Sequence, residues 1–289
     1  MGARTGIAWT DATWNPWQGC HKVSPGCTHC YMFREKRQYD QEPNVVVRSK
    51  PHTFNLPLRL TAPARIFTCS WSDFFIEEAD SWRDEAWAII RRTPHLTYQI
   101  LTKRPERIAG RLPWGDGAPW PNVWGLVSAE DQEQADRRVP LILAANFAVR
   151  GVSYEPALAP MDFVNVGAMD QCSYVCDHGE QWPEGHRPER GIEWLIIGGE
   201  SGPGARPFDL AWARSAIAQC RAAGVACYVK QLGARPYDAS IHNRGCISRT
   251  TAAAVGCDCT DPYLSLCDRK GADPEEWPED LRRVREFPR

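Results

Sequence analysis

From about residue 60 to 230 the chain alternates short apolar runs with stretches of helical character. Runs at 65–69, 97–102, 123–128, 147–153, 192–197 and 226–230 have the length and composition of buried strands. The stretches 81–92, 132–144 and 209–223 between them are predicted helices. A further strand is expected before Cys20, bringing the predicted number to seven. Strands separated by helices pair in parallel through right-handed crossovers. The simplest α/β assembly is an incomplete parallel (β/α) barrel over residues 1–234.

Two regions break the alternation. Residues 161–190 are rich in Gly, Pro and acidic side chains and form a small irregular insertion. They carry Cys172, Cys176, His178 and His186, candidates for an additional zinc or cluster site, although the spacing is not that of a standard zinc knuckle. Residues 235–289 are expected as an irregular C-terminal extension packed on the barrel, with Cys246, Cys257, Cys259 and Cys267 scattered along it.

Composition narrows the setting. No apolar run is long enough to span a bilayer and no signal-like apolar stretch follows Met1, so the expectation is a cytoplasmic protein with no membrane partner. Twelve cysteines in a reducing compartment point to metal or cluster ligation before disulfides. A formal charge of −2 argues against a uniformly basic surface. Positive charge is carried mainly by arginine, beside thirteen tryptophans. Trp14, Trp17, Trp71, Trp114, Trp120 and Trp124 are candidates for base stacking, with packing as the ordinary alternative.

The most distinctive chemistry is Cys20, Cys27 and Cys30, spaced C-x6-C-x2-C around the Pro25-Gly26 turn and followed by Tyr31. Structural zinc takes four closed ligands, and four-iron clusters usually take four cysteines. Three thiols either borrow a distant fourth ligand or leave one iron open. Thiolate suits both metals, so the loop alone leaves a zinc-stabilised nucleic-acid-binding or interaction module as the alternative to a cluster.

The predicted strand ends are polar. Ser70, Ser72 and Asp73 follow the second strand, Lys103 and Arg104 the third, and Ser128 and Glu130 the fourth. Glu155 follows the fifth, Gly198, Gly199 and Glu200 the sixth, and Lys230 the seventh. Each alone has an ordinary explanation as a cap or a solvated loop residue. Together they predict one pocket at the carboxyl ends of the strands, beside the cysteine loop.

The chain resembles the phage- and prophage-associated three-cysteine-motif proteins, which are similar to radical SAM enzymes. The resemblance rests on residues 7–16 leading into the cysteine loop, Leu101-Thr102-Lys103-Arg104-Pro105, Ser153-Tyr154-Glu155-Pro156 and Gly198-Gly199-Glu200-Ser201-Gly202. It continues through Tyr228-Val229-Lys230-Gln231-Leu232-Gly233 and Trp277-Pro278-Glu279-Asp280-Leu281. Radical SAM proteins mostly carry C-x3-C-x2-C, so the x6 spacing departs from their pattern. The resemblance implies a [4Fe–4S] cluster on Cys20, Cys27 and Cys30, with S-adenosylmethionine on its open iron and a deoxyadenosyl radical that abstracts hydrogen from the substrate. By the same analogy Tyr31, Ser70, Ser72, Asp73, Ser128, Glu130, Gly198 and Gly199 hold the cofactor. Lys103, Arg104 and Arg206 meet the substrate, while Glu155, Glu200 and Lys230 are catalytic candidates. An electron donor such as flavodoxin or ferredoxin is implied, with a nucleic acid or nucleotide expected as substrate and a partner protein as a further candidate.

Overall fold

The computed structural model describes residues 5–169, 191–239 and 262–288. Seven strands form one sheet: β1 (Ala12–Trp14), β2 (Ala64–Thr68), β3 (Leu96–Thr102), β4 (Val123–Ser128), β5 (Val149–Tyr154), β6 (Trp194–Gly198) and β7 (Ala226–Gln231). All six pairings are parallel, and the spatial order equals the chain order. Each crossover therefore moves the chain one strand along in the same direction. That winding curls the sheet into a half-barrel instead of an open, doubly wound sheet.

Four longer helices accompany the sheet: α1 (Tyr31–Gln38), α2 (Asp80–Arg92), α3 (Gln132–Ala144) and α4 (Leu210–Ala223). The Asp131 carboxylate accepts from the Gln134 amide and caps α3, and Asp209 does the same for α4 through the Ala211 amide. Gly224 ends α4 in the left-handed conformation that glycine adopts without steric cost.

Alternation along the strands separates two faces. Ile66, Tyr98, Ile100, Val127, Val152, Leu195, Ile197 and Val229 belong to the large core shared with the helices. Phe67, Leu126, Trp194, Ile196 and Tyr228 belong to a second cluster on the concave face. There Trp9 fits between Phe67 and Trp194, at ring-centroid distances of 4.7 and 5.9 Å. Trp124 and Phe287 pack on Trp194 at 5.7 and 5.5 Å. Phe287 also lies under the Arg65 guanidinium at 4.2 Å, and the Tyr228 hydroxyl donates to the Ala8 carbonyl. Segments near both ends of the chain thus fill the concave side between β2 and β7.

The C-terminal segment is bound to the sheet in detail. The Val229 amide donates to the Val284 carbonyl and the Glu286 amide to the Cys227 carbonyl. Trp277, Leu281 and Val284 are buried in the main core. Residues 161–169 hold no helix or strand, yet Met161, Phe163, Ala168 and Met169 are buried in that core. Cys172, Cys176, His178 and His186 lie outside the described residues, as do Cys246, Cys257 and Cys259. Cys267 is exposed. Among the described residues no helix is long and apolar enough to cross a membrane.

Most tryptophans proposed for stacking are packing residues. Trp14 and Trp17 are fully buried. Trp114 and Trp120 pack on Trp87, and Trp124 packs on Trp194. Replacing Trp194 by Ala should empty the concave cluster and lower unfolding free energy by about 3–5 kcal/mol, measured by urea denaturation. A loss below ~1 kcal/mol would contradict the view that this ring holds the concave side together.

Candidate functional site

The cysteine loop follows β1 and lies across the carboxyl ends of the strands. A short antiparallel pair, Trp17–Gln18 with Val47–Arg48, steers the chain into it. The loop borders a cavity of about 570 Å³, within the range of small-molecule and cofactor sites. Cys20, Cys27 and Cys30 line that cavity together with Tyr31, Ser70, Ser72, Asp73, Lys103, Arg104, Ser128, Glu155, Gly199, Glu200 and Lys230. Glu130, Gly198 and Arg206, expected as cofactor or substrate contacts, are not among the residues lining it. Trp9, Phe67 and Leu101 supply apolar lining from the concave face.

Three strand-end carboxylates hold the loop, each braced by an arginine. After β2, Asp73 accepts from the Thr102 hydroxyl at 2.6 Å, the Lys103 amide at 2.8 Å and Arg104 Nη1 at 3.2 Å. Arg104 in turn donates to the His21 carbonyl at 3.0 Å and to Cys20 Sγ at 3.6 Å. After β4, the fully buried Glu130 accepts from the Ser24 hydroxyl and from the Gly26 amide at 3.0 Å, while its other oxygen takes Arg138 Nη1 at 2.8 Å. A Cβ at Gly26 would stand 2.7 Å from the Glu130 carboxylate, so only glycine permits this approach. After β6, Glu200 accepts from His29 Nδ1 at 3.0 Å and from Arg206 at 2.6 and 2.9 Å. Arg206 Nη1 also donates to the Pro25 carbonyl at 3.0 Å.

These contacts reassign several residues. Asp73 and Glu200 border the cavity, but their oxygens are engaged with the protein itself. Ser72 donates to the Gly19 carbonyl at 2.6 Å, and Ser70 exchanges hydrogen bonds with Asn15. Tyr31 donates to the Ser70 carbonyl at 2.5 Å. Gly198 lies against Glu155, whose Oε1 would be 2.5 Å from an added Cβ.

A fourth strand-end pair leaves the loop alone. Lys230 Nζ donates to Glu155 Oε2 at 3.1 Å, and Ser153 Oγ lies 3.5 Å from the same oxygen. Glu155 Oε1 is buried with no hydrogen-bond partner among the described residues. Lys103 borders the cavity, and its ammonium makes no ion pair or hydrogen bond among the described residues. Arg104 and Arg206, also expected to meet the substrate, and the catalytic candidate Lys230 are each paired with a carboxylate.

Cys69 adds a thiol that the sequence pattern placed within a strand. It lies just beyond β2 in a left-handed conformation, φ 64°, and lines the cavity while 3 % exposed. Burial pushes the Cys20 thiol up to about 11, Asp73 adding to this and Arg104 offsetting part of it. A metal at Cys20 must therefore displace a proton. Even with Cys69 present, no three His, Cys, Asp or Glu side chains among the described residues converge tightly enough to hold a single metal ion. Tetrahedral zinc needs such convergence.

Residues 4–260 match the model of DUF5131, described as a protein of unknown function. The chain belongs to that family. No curated protein and no solved structure matches it. The match to DUF5131 takes in the cysteine loop and every carboxylate and arginine of the clamp.

Two outcomes test the clamp. Glu130→Ala leaves Arg138 buried without its partner and should cost about 3–5 kcal/mol, measured by denaturation. Glu200 gives a pH signature. Burial opposes its ionisation, but hydrogen bonds from the Arg206 side chain and amide and from His29 outweigh it, holding the carboxyl at about 2 against its ordinary 4.5. The folded value lies below the unfolded one, so this stabilisation is complete above about pH 4.5 and is lost as pH falls toward 2. Stability measured from pH 6 to pH 2 should fall less steeply in Glu200→Gln than in the parent protein.

Proposed function

We propose that this protein is a radical SAM-type enzyme, holding a [4Fe–4S] cluster on Cys20, Cys27 and Cys30 and acting on a nucleic acid or nucleotide. The observation that carries the reading is the meeting of these three thiols with six polar strand ends around one cavity of a parallel half-barrel. Three thiols leave one iron of such a cluster open, and a cavity of about 570 Å³ adjoins them. The cluster, when bound, supplies the electron that cleaves the sulfur–carbon bond of S-adenosylmethionine.

This chain's own residues have separate duties in that reading. The carboxylate–arginine clamp fixes the sulfurs, and the apolar lining from Trp9, Phe67 and Leu101 excludes water. Glu155 and Lys230 form the cavity's acid–base pair: the lysine ammonium donates a hydrogen bond to the carboxylate, and the buried Oε1 retains acceptor capacity. Lys103, which lines the cavity and makes no ion pair among the described residues, is the cation assigned to a substrate phosphate. The concave face below is filled by Trp9 and Trp194, so a large substrate approaches at the strand-end face. An electron donor of the flavodoxin or ferredoxin type completes the system.

Anaerobic reconstitution tests the first part. The wild-type protein should take up iron and sulfide, develop broad visible absorbance and, with dithionite and S-adenosylmethionine, release methionine and 5′-deoxyadenosine. Cys20→Ala, Cys27→Ala and Cys30→Ala should each abolish the absorbance, and full iron and sulfide in the triple variant would sink the assignment. For the substrate, binding of DNA and RNA should weaken steeply as salt rises from 50 to 200 mM. Lys103→Gln should reduce the salt slope by about one. Absence of nucleic-acid binding at low salt removes that substrate class and leaves the cluster assignment standing.

A further inference from the structure

Arg104 was expected to grip substrate, yet its side chain is 10 % exposed and turned onto the cysteine loop. Its guanidinium makes three contacts: Cys20 Sγ at 3.6 Å, the His21 carbonyl at 3.0 Å and Asp73 Oδ2 at 3.2 Å. No such arginine contact is made by the other two cysteine sulfurs among the described residues. Cys27 Sγ meets the Ser24 hydroxyl at 3.8 Å, and Cys30 serves as the residue before α1. The loop therefore surrounds its three thiols unequally. Asp73 is held in turn by the Thr102 hydroxyl and by the amides of Lys103 and Phe75, so the donor reaches Cys20 from a fixed mount.

We infer that Arg104 sets the reduction potential of the iron–sulfur cluster, through a charge-assisted hydrogen bond to the Cys20 sulfur. The inference rests on the cluster reading given above. A hydrogen bond to a ligating sulfur withdraws electron density from the cluster and eases its reduction, and a nearby positive charge acts in the same direction. Asp73 limits the second effect by neutralising most of the guanidinium charge, which leaves the directed N–H to sulfur contact as the larger part. Arg104 is thus a positioning and tuning residue, acting through Cys20, and not a substrate contact. The Arg104 end of the contact is buried while Cys20 is only partly so.

The test is the midpoint potential of the reconstituted full chain, followed by electron paramagnetic resonance during a dithionite titration without S-adenosylmethionine. Arg104→Gln keeps a donor without charge, and Arg104→Lys keeps charge without the planar fork. Both should shift the midpoint to more negative values. Asp73→Asn frees the guanidinium charge and should shift it the opposite way, a pattern of opposite signs that simple loosening of the loop does not produce. A variant that loads less cluster is read on its loaded fraction, since the potential belongs to each loaded molecule. Midpoints equal to wild type in both Arg104 variants overturn this inference and leave the cluster assignment intact. A wild-type protein that takes up no iron and sulfide overturns the cluster assignment itself.

Discussion

Everything at the strand-end face depends on carboxylates that are not free. Asp73, Glu130 and Glu200 come from the ends of three different strands, and each is matched with an arginine. A buried carboxylate costs free energy unless it is paired and fully hydrogen-bonded. Here the cysteine loop satisfies part of the remaining oxygen valences and guanidinium donors: the Ser24 hydroxyl, the Gly26 amide, the His29 ring, and the carbonyls of His21 and Pro25. The loop and the charged pairs complete one another. The loop has no regular structure beyond a short 3-10 turn at Pro25–Cys27, so these contacts supply its shape.

Much of the barrel was legible in the sequence. The strand at 123–128 and the helix at 132–144 coincide with β4 and α3, and the other predicted elements differ from the observed ones only near their ends. The reason is local: Trp194–Gly198 is buried at every position, and fully buried parallel strands read as unbroken apolar runs. The segment 161–169 was less legible because its apolar residues do not follow one period. Phe163 and Met169 reach the core through turns, anchored by the Gln219 side chain accepting from the Phe163 amide.

The site was half legible. Polar residues at strand ends mark a shared face in a parallel barrel, and the three cysteines and most of these residues do meet there. What the sequence could not reveal was direction. Glu130 and Glu155 both follow strands by a residue or two, yet one turns behind the loop and the other stays beside the cavity. The difference lies with partners distant in the chain: Arg138 and Gly26 for the first, Lys230 and Gly198 for the second. One local signal did exist, since Arg138 stands eight residues after Glu130, two helical turns away on α3.

The distances along the chain between the loop and its anchors have a consequence for biosynthesis. Gly26 and Glu130 are 104 residues apart, and His29 and Glu200 are 171 apart. A ribosome adds residues from the N-terminus at about 5–20 per second, so the loop emerges many seconds before Glu200 exists. Until β6 has joined the sheet, the three cysteines are carried on a tether without its final shape. Under the proposed cluster reading, loading of a correctly shaped site follows assembly of most of the half-barrel, and until then the nascent thiols lack the contacts that shape them.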